Sequence, residues 1–349
     1  MLSVLFSIIE NHHPCNHCTA EYTFIQSLSF FSLSTRFTLA MDVMTHSSNF
    51  LLPSRPTDNG PSLSYALVVL NQPLPRFTPL LWELAPQRCI CADGGANRLY
   101  DELPRLFPRD KPSDVRNRYK PDVIKGDMDS IRTEVLDFYR NLGTKIVDES
   151  QDQDTTDLHK CVALICEDTP TVDKSNLCIL VAGALGGRFD HEAGNINVLC
   201  CFSTVRIILL SDDCLIQLLP RTHRHEIQIQ SSVEGPHCGL IPIGMPSKST
   251  ATTGLEWNLN GAEMRFGGLL STSNIVKEKK ITVQSDSDLL WTISIKKRII
   301  PGSSNNWLEF WLESVKRRRF TFLFFFPFLF LLFLPFLSFF SSFLLRLLR

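Results

Sequence analysis

The chain has 349 residues, of which 44% are hydrophobic and 20% are charged, a composition typical of globular proteins and not of disordered or fibrous ones. Its 35 basic and 36 acidic residues nearly cancel, so no overall positive charge favours a nucleic acid as partner. The length allows one large domain or two domains of ordinary size.

Residues 1–63 predict a disordered leader. The segment is rich in Ser, Thr, Pro and Asn and keeps no sustained strand or helix periodicity. Acidic residues are few, as in a transit peptide, but arginines are few as well, and no basic residues precede the apolar start as in a secretory signal.

The eleven cysteines indicate a reducing compartment. Their number is odd and several lie within apolar runs, whereas small secreted domains carry regularly spaced pairs. We therefore expect reduced, mostly buried thiols in a cytosolic protein. Cys15 and Cys18 form a Cys-x2-Cys pair among histidines, but no second ligand pair follows at zinc-finger spacing, so zinc is not favoured.

Residues 64–214 predict an α/β domain, because short apolar strands alternate with helical segments. Strands are expected at Tyr65–Leu70, Arg88–Ala92, Asp122–Lys125, Thr144–Val147, Leu177–Ala182 and Val205–Leu210. Helices are expected at Pro79–Ala85, Asn97–Leu103, Ile131–Leu142, Thr156–Cys166 and His191–Cys201. This alternation is typical of a parallel sheet covered on both faces, so we expect a three-layer fold.

Residues 215–297 predict a second, all-β domain. Strand-like runs at Glu226–Gln230, Ile281–Gln284 and Leu290–Ile295 are separated by Gly and Ser, with little helical pattern.

Residues 298–349 form an atypical hydrophobic tail that we expect to lie outside the fold. From Phe320 to Leu345 every residue except Thr321 is Phe, Leu, Ser or Pro. Pyrimidine-rich codons encode these residues, which favours translation through a pyrimidine tract. The alternative is a tail anchor, since a long apolar span with a basic flank could cross a membrane. A membrane is thus a partner only if the tail is part of the mature protein.

Carboxylates follow four successive strands of the predicted sheet. Asp93 ends the second strand, Asp127 and Asp129 follow the third, Asp152, Asp154 and Asp157 follow the fourth, and Asp190 follows the fifth. Ligands of open parallel sheets bind outside the carboxyl ends of the strands, so we expect these side chains to meet at one edge. Clustered carboxylates need a compensating cation, and oxygen ligands of this kind suit Mg²⁺, which commonly bridges to phosphates.

Glycine pairs adjoin these acids at Gly94-Gly95 and at Gly186-Gly187, the latter followed by Arg188. Glycine lets backbone N–H groups approach anionic oxygens, and an arginine adds a charge-assisted contact to phosphate. Each feature alone has a structural explanation as a turn or a helix cap, but together they predict a metal–phosphate site. The sequence has neither a P-loop motif nor Gly-x-Gly-x-x-Gly after the first strand, which excludes P-loop enzymes and disfavours ordinary dinucleotide folds.

In order and spacing, these motifs resemble the thiamine pyrophosphokinase (thiamine diphosphokinase) family, in particular its plant members. They are Cys91–Asn97, Gly126–Ser130, Asp152–Leu158 and Gly186–His191, joined in the β-rich part by Gly254–Trp257, Gly267–Asn274 and Leu289–Thr292. The resemblance covers residues 64–297. It implies an α/β catalytic domain followed by a β-sandwich domain, a homodimer, and diphosphate transfer from ATP to thiamine that yields thiamine diphosphate and AMP.

The resemblance also implies roles for individual residues. Mg²⁺ and the triphosphate would be held by Asp93, Asp127, Asp129 and Asp157. The nucleotide phosphates and the attacking hydroxyl would be positioned by Gln153, Thr156, Arg188 and Asp190. Arg188 and Asp190 would form the catalytic set with the four metal-binding carboxylates. Further contacts to ATP are expected from Gly94, Gly95, Asn97, Gly186 and Gly187. Thiamine would contact Trp257, Ser271, Thr272, Ser273 and Asn274 across the dimer interface.

Two of these positions stay open on the sequence alone. A place in the core or at the dimer interface explains Trp257 better than a ligand contact does. His191 stands where some members of the family have Gln, so its role is undecided.

Two other classes of function fit part of the pattern. A non-catalytic nucleotide-binding module would keep the glycines and tolerate loss of the paired acids. A Mg²⁺-dependent nucleotide phosphohydrolase would use the same carboxylates with water as nucleophile, but would not need Trp257 and Ser271–Asn274. Formation of AMP with and without thiamine separates all three.

Overall fold

The computed structural model of the chain describes residues 41–52, 63–85, 88–169 and 176–297. The predictions for residues 1–40 and for the tail 298–349 lie outside the described residues. The strands are β1 (Val43–Ser47), β2 (Ser64–Val69), β3 (Cys89–Ala92), β4 (Val123–Gly126), β5 (Lys145–Asp148), β6 (Leu177–Ala182), β7 (Arg206–Leu210), β8 (Cys214–Leu219), β9 (Arg224–Gln228), β10 (Glu234–Pro242), β11 (Ser247–Thr253), β12 (Ala262–Met264), β13 (Ser271–Ile275), β14 (Lys280–Ser285) and β15 (Leu289–Ile295). The helices are α1 (Thr78–Leu84), α2 (Gly95–Leu106), α3 (Pro112–Arg118), α4 (Thr133–Asn141), α5 (Asp157–Asp168) and α6 (Phe189–Cys201).

Six parallel strands form the centre of the α/β part, in the order β5, β4, β3, β2, β6 and β7. Side chains of α1 to α4 share a core with one face of this sheet, and side chains of α5 and α6 share a core with the other face. All six residues of β6 are buried, as expected for a strand covered on both faces. The predicted three-layer fold is confirmed, and α3 is a helix that the sequence did not predict.

Helix α5 illustrates how the sequence sets these layers. Its buried Leu158, Cys161, Val162 and Ile165 recur at the spacing of one helix face. Thr156 caps its start, because Thr156 Oγ1 accepts a hydrogen bond from the backbone N–H of His159 at 3.3 Å. In the described part of the chain, no helix is long and apolar enough to cross a membrane.

The sheet continues beyond β7 into the β-rich part. Strand β8 pairs with β7 in antiparallel fashion, and β15, β10 and β13 follow to complete a ten-stranded sheet. A second sheet, ordered β1-β9-β14-β11-β12, packs on these outer strands through a core that includes Trp291, Leu240 and Ile281. The β-rich part is therefore a two-layer sandwich. The ten-stranded sheet continues through residues 214 and 215 without a break. The domain boundary expected between these residues therefore stays a prediction.

Strand β1 corrects one expectation. It lies inside the predicted disordered leader, yet it pairs in parallel with β9 over five residues, from Val43 opposite Arg224 to Ser47 opposite Gln228. A 3-10 turn at Asn49–Leu51 follows it and buries Phe50 and Leu51. The prediction of disorder is therefore wrong for residues 43–51. Such a short, mostly polar segment carries little periodicity, and its partner strand lies far away in the sequence.

Candidate active site

Three carboxylates form a compact cluster at the carboxyl ends of β3 and β4. One oxygen from each of Asp93, Asp127 and Asp129 lies within 4.8 Å of the others. The sequence predicted this meeting from the strand-end rule. Oxygen ligands at such spacing can hold a divalent cation.

Asp93 is fully buried and anchors the loop that carries the other two acids. Its carboxylate accepts hydrogen bonds from the backbone N–H groups of Ser130 at 2.8 Å and Ile131 at 3.1 Å. Burial raises the pKa of Asp93, and the negative charges of Asp127 and Asp129 add to that shift, whereas the two backbone bonds oppose it. The residue has a φ of 38°, a conformation that non-glycine residues rarely adopt.

Asp157, the first residue of α5, faces the same cluster. Burial first, and then the charges of Asp127 and Asp93, raise the pKa of Asp157 to about 6. The Lys160 ammonium nitrogen, 3.9 Å from Asp157 Oδ1, opposes this shift. Gly126 permits the close approach, since a Cβ there would lie 2.7 Å from Asp93 Cβ and 3.0 Å from Asp157 Oδ1. Four predicted carboxylates thus meet in one place.

A cleft of about 470 Å³ opens beside the cluster. Asp127 and Asp157 line it, together with residues after β2 and after β6. From β2 the chain runs outward through β3, β4 and β5, and it then returns to β6 and β7 on the other side. The strand order reverses between β2 and β6, and open α/β sheets bind ligands at such a point.

The other predicted residues of the α/β part fall into two groups. Those that line the cleft are Gly94, Thr156 and Asp190. Those that do not line it are Gly95, Asn97, Gln153, Gly186, Gly187 and Arg188. The cleft is thus built from part of the predicted set, with the remaining members around it.

Several residues of the second group are engaged within the protein. Asn97 donates from Nδ2 to the Ser130 carbonyl at 2.9 Å and accepts from the Arg132 N–H at 3.1 Å, so it fixes the loop of the metal cluster. Gln153 donates to the Ser150 carbonyl at 2.9 Å. The exposed Arg188 forms a bidentate ion pair with Asp190.

The predicted thiamine residues lie in the β-rich part, outside the lining of this cleft. Trp257 is 60% exposed, and its backbone is held by the buried Asn274, which accepts from the Trp257 N–H at 3.2 Å and donates to its carbonyl at 2.8 Å. Asn274 also donates to Ser271 Oγ at 3.0 Å, whereas Thr272 and Ser273 are exposed. Ser271 and Asn274 thus support the loop, and Trp257, Thr272 and Ser273 present their side chains to solvent.

Sequence reasoning missed Asn71 and Gln72, which follow β2 and line the cleft. The strand-end rule that found the acids also applies to this strand. Because neither residue carries a charge, a pattern of carboxylates at strand ends does not single them out.

Comparisons with known proteins agree with this geometry. The family profile of the thiamin pyrophosphokinase catalytic domain matches residues 78–209, and that of the thiamin pyrophosphokinase vitamin B1 binding domain matches residues 224–290. Thiamine pyrophosphokinase 1 of Arabidopsis thaliana is 71% identical over 258 residues, which cover 74% of this chain and 96% of the relative. Thiamine pyrophosphokinase 1 of Oryza sativa subsp. japonica is 63% identical, over 74% of this chain and 100% of the relative.

Solved structures show the same fold. The crystal structure of yeast thiamin pyrophosphokinase superposes with a TM-score of 0.62 at 24% identity, over 75% of this chain and 93% of that one. Together with the profile matches and the plant relatives, this likeness identifies the chain as a member of the thiamine pyrophosphokinase family.

Proposed function

We propose that the chain transfers a diphosphate group from ATP to thiamine, which gives thiamine diphosphate and AMP. The observation that carries the proposal is the carboxylate cluster of Asp93, Asp127 and Asp129 beside a cleft at the switch point of the sheet. The substrates are inferred from the chain's membership of the thiamine pyrophosphokinase family.

The cluster fits Mg²⁺ as the metal. All donors are carboxylate oxygens. Burial and the charges of Asp127 and Asp93 raise the pKa of Asp157 to about 6, and a divalent cation would offset the repulsion between these carboxylates. We therefore propose that Asp93, Asp127, Asp129 and Asp157 hold Mg²⁺. The bound ion would neutralise charge on the phosphate oxygens during transfer.

The protein's own part in the reaction is positioning. The thiamine hydroxyl oxygen forms a bond to the β-phosphorus of ATP. The bond from that phosphorus to the α,β-bridging oxygen breaks, and AMP leaves with this oxygen. In the free protein Arg188 forms an ion pair with Asp190. With ATP bound, the guanidinium would instead donate hydrogen bonds to a phosphate oxygen, next to the glycines of the 183–187 loop. The hydroxyl proton passes to a carboxylate of the cleft. Alignment and charge neutralisation account for most of the catalysis in such transfers.

We also propose a homodimer with thiamine bound at its interface. The exposed apolar side chains in the described β-rich part include Trp257 (60%), Phe266 (68%) and Leu269 (49%). Exposed apolar groups of this size often mark interaction surfaces. The indole of Trp257 is also suited to the cationic thiazolium ring of thiamine.

The cytosol is the proposed location. All nine cysteines in the described ranges are free thiols. Burial raises the pKa of Cys89, Cys91 and Cys178, so these thiols resist oxidation.

The experiment is a nucleotide product analysis with purified protein, ATP and Mg²⁺, with and without thiamine. We expect AMP and thiamine diphosphate in equal amounts, and almost no turnover when thiamine or Mg²⁺ is left out. Thiamine-independent formation of ADP and phosphate would support a phosphohydrolase. Tight nucleotide binding without any turnover would support a binding module.

A further inference from the structure

Two amide side chains of the cleft have no part in the mechanism above. Asn71 and Gln72 directly follow Leu70 at the carboxyl end of β2 and line the cleft. They stand beside Gly183, which follows β6, and so they lie at the point where the strand order reverses. Ligands of open α/β sheets bind at this place.

The amide of Asn71 is oriented by its neighbour Arg98. Asn71 Oδ1 accepts a hydrogen bond from Arg98 Nε at 3.2 Å, and Arg98 in turn forms an ion pair with Glu102 at 2.9 Å. With Oδ1 engaged, the Nδ2 group lies toward Gly94, where an added Cβ would come within 2.4 Å of it. The N–H donors of Asn71 therefore lie beside the first glycine pair.

The half-buried amide of Gln72 lies against the second glycine loop. A Cβ on Gly187 would come within 2.5 Å of Gln72 Oε1 and 2.8 Å of Nε2, and a Cβ on Gly183 would lie 2.8 Å from the Gln72 carbonyl oxygen. Both glycines have positive φ, 68° for Gly183 and 86° for Gly187. Within the described part of the chain, no hydrogen bond engages the Gln72 side chain. Packing thus holds this amide in place, and its donors are available to a ligand.

The charges that line the cleft indicate which chemical group the two amides can bind. Asp127, Asp157 and Asp190 line the cleft, and their negative charges repel a phosphate chain in the absence of metal. A phosphate accepts hydrogen bonds and donates none when ionised, so the neutral N–H donors of Asn71 and Gln72 in the same cleft suit it. Amides provide such donors without competing with the carboxylates for the cation.

We propose that Asn71 and Gln72 bind the triphosphate of the nucleotide, with Nδ2 and Nε2 donating to phosphate oxygens between the two glycine loops. This inference rests on the proposed function and adds two binding residues to the same site. Each amide contributes affinity for ATP and not for thiamine.

The test compares Gln72→Glu with Gln72→Met. Both variants keep the length of the side chain and lose the donor, but the glutamate adds a negative charge next to the phosphates. Binding is measured by calorimetry with Mg²⁺ and an ATP analogue whose α,β-bridging oxygen is replaced by methylene. We expect the dissociation constant to rise about tenfold for Gln72→Met, the effect of one lost hydrogen bond to a charged group, and further for Gln72→Glu. The KM for thiamine should change less than twofold.

The matched control is Asn141→Asp, which makes the same change of charge at the exposed end of α4 and should bind the analogue like the wild type. Thermal unfolding checks that each variant is folded, and Asn71→Asp provides a second, independent substitution. Analogue affinity that stays within twofold of wild type in Gln72→Glu and Asn71→Asp would overturn the inference, as would an effect confined to thiamine. A wild-type protein that forms no AMP would instead overturn the proposed function.

Discussion

A single side chain, Asp93, combines a structural and a chemical role. The sequence placed it correctly at a strand end and predicted it as a metal ligand. It could not show that the same carboxylate accepts two backbone N–H groups and so fixes the loop of Asp127 and Asp129. These hydrogen bonds depend on the backbone course at Ser130 and Ile131, which no pattern in the sequence predicts.

Asp127 and Asp129 are exposed or half-buried and make only local hydrogen bonds within this loop, from the Asp129 N–H to Asp127 Oδ1 at 3.5 Å and from the Ser130 hydroxyl to Asp129 Oδ1 at 2.8 Å. Their substitution therefore affects function more than stability. We expect Asp127→Asn and Asp129→Asn each to lower kcat by about two orders of magnitude or more, because a metal-facing charge acts mainly in the transition state. Unfolding temperature should stay the same or rise, since repulsion in the cluster decreases. Asp137→Asn, which removes only the exposed pair with Arg140, is the control. Near wild-type kcat in both cluster variants at limiting Mg²⁺ would refute the metal assignment.

Trp257 tests the thiamine side of the site. Its indole is 60% exposed in the single chain, so Trp257→Ala should change the unfolding temperature of that chain little. If the indole contacts the thiazolium, the KM for thiamine rises several-fold and the KM for ATP does not. Trp257→Phe should recover part of the loss. An unchanged thiamine KM in steady-state kinetics would leave the residue with a purely structural role.

At the scale of elements, strand β1 is joined to the β-rich part by a buried pair of histidines. His225 Nε2 donates to the Pro220 carbonyl at 2.9 Å, so its neutral Nδ1 accepts from His46 Nε2, also at 2.9 Å. Burial, and then nearby His223 and Arg206, lower the pKa of His225 to about 4, and burial lowers the pKa of His46 as well. Both rings are therefore neutral in the folded protein at neutral pH.

This pair predicts a loss of stability in mild acid. The unfolded chain binds protons near pH 6.5 and the folded chain only near pH 4, so the stabilisation is complete above pH 6.5 and is lost as the pH falls toward 4. For His225 alone the loss between pH 7.5 and 5 is about 2 kcal/mol. Urea unfolding of wild type and His225→Gln at both pH values measures it. The stability gap between the two proteins should shrink at pH 5, and an equal pH dependence in both would contradict the prediction.

Elements with strong periodicity could be predicted, and those defined by distant partners could not. The buried β6 and the one-sided α5 appear where the sequence indicated them. Strand β1 was missed because it pairs with β9, a strand about half the chain length away in the sequence. The cleft residues Asn71 and Gln72 were missed for a different reason, since uncharged amides at a strand end resemble ordinary turn residues.

At the scale of the whole molecule, the two predicted parts share one sheet. Strands β7 and β8 pair across the predicted boundary, so the α/β part and the sandwich are continuous in backbone hydrogen bonding. The sequence showed the change from alternating strands and helices to strands alone. It did not show that the sheet is continuous, because the pairing of strands from the two parts leaves no local pattern in the sequence.

Because the two parts share one sheet, we expect both to be needed together for folding and activity. A truncated chain of residues 41–297 keeps β1 through β15 and should be dimeric, active and more soluble than the full chain, because the aromatic tail is an aggregation hazard in water. Gel filtration and the AMP assay check this. The tail-anchor alternative predicts that a fluorescent protein fused to residues 310–349 moves to membranes. Membrane targeting of that fusion, with tail peptides in the native protein's digest, would instead support a tail anchor.

The most direct test of the central claim follows the phosphorus atoms themselves. ATP labelled at the β-phosphorus is incubated with the protein, Mg²⁺ and thiamine, and the products are separated. We predict that the label appears in thiamine diphosphate while all released nucleotide is unlabelled AMP. Label in ADP or inorganic phosphate, with none in a thiamine ester, would contradict the account.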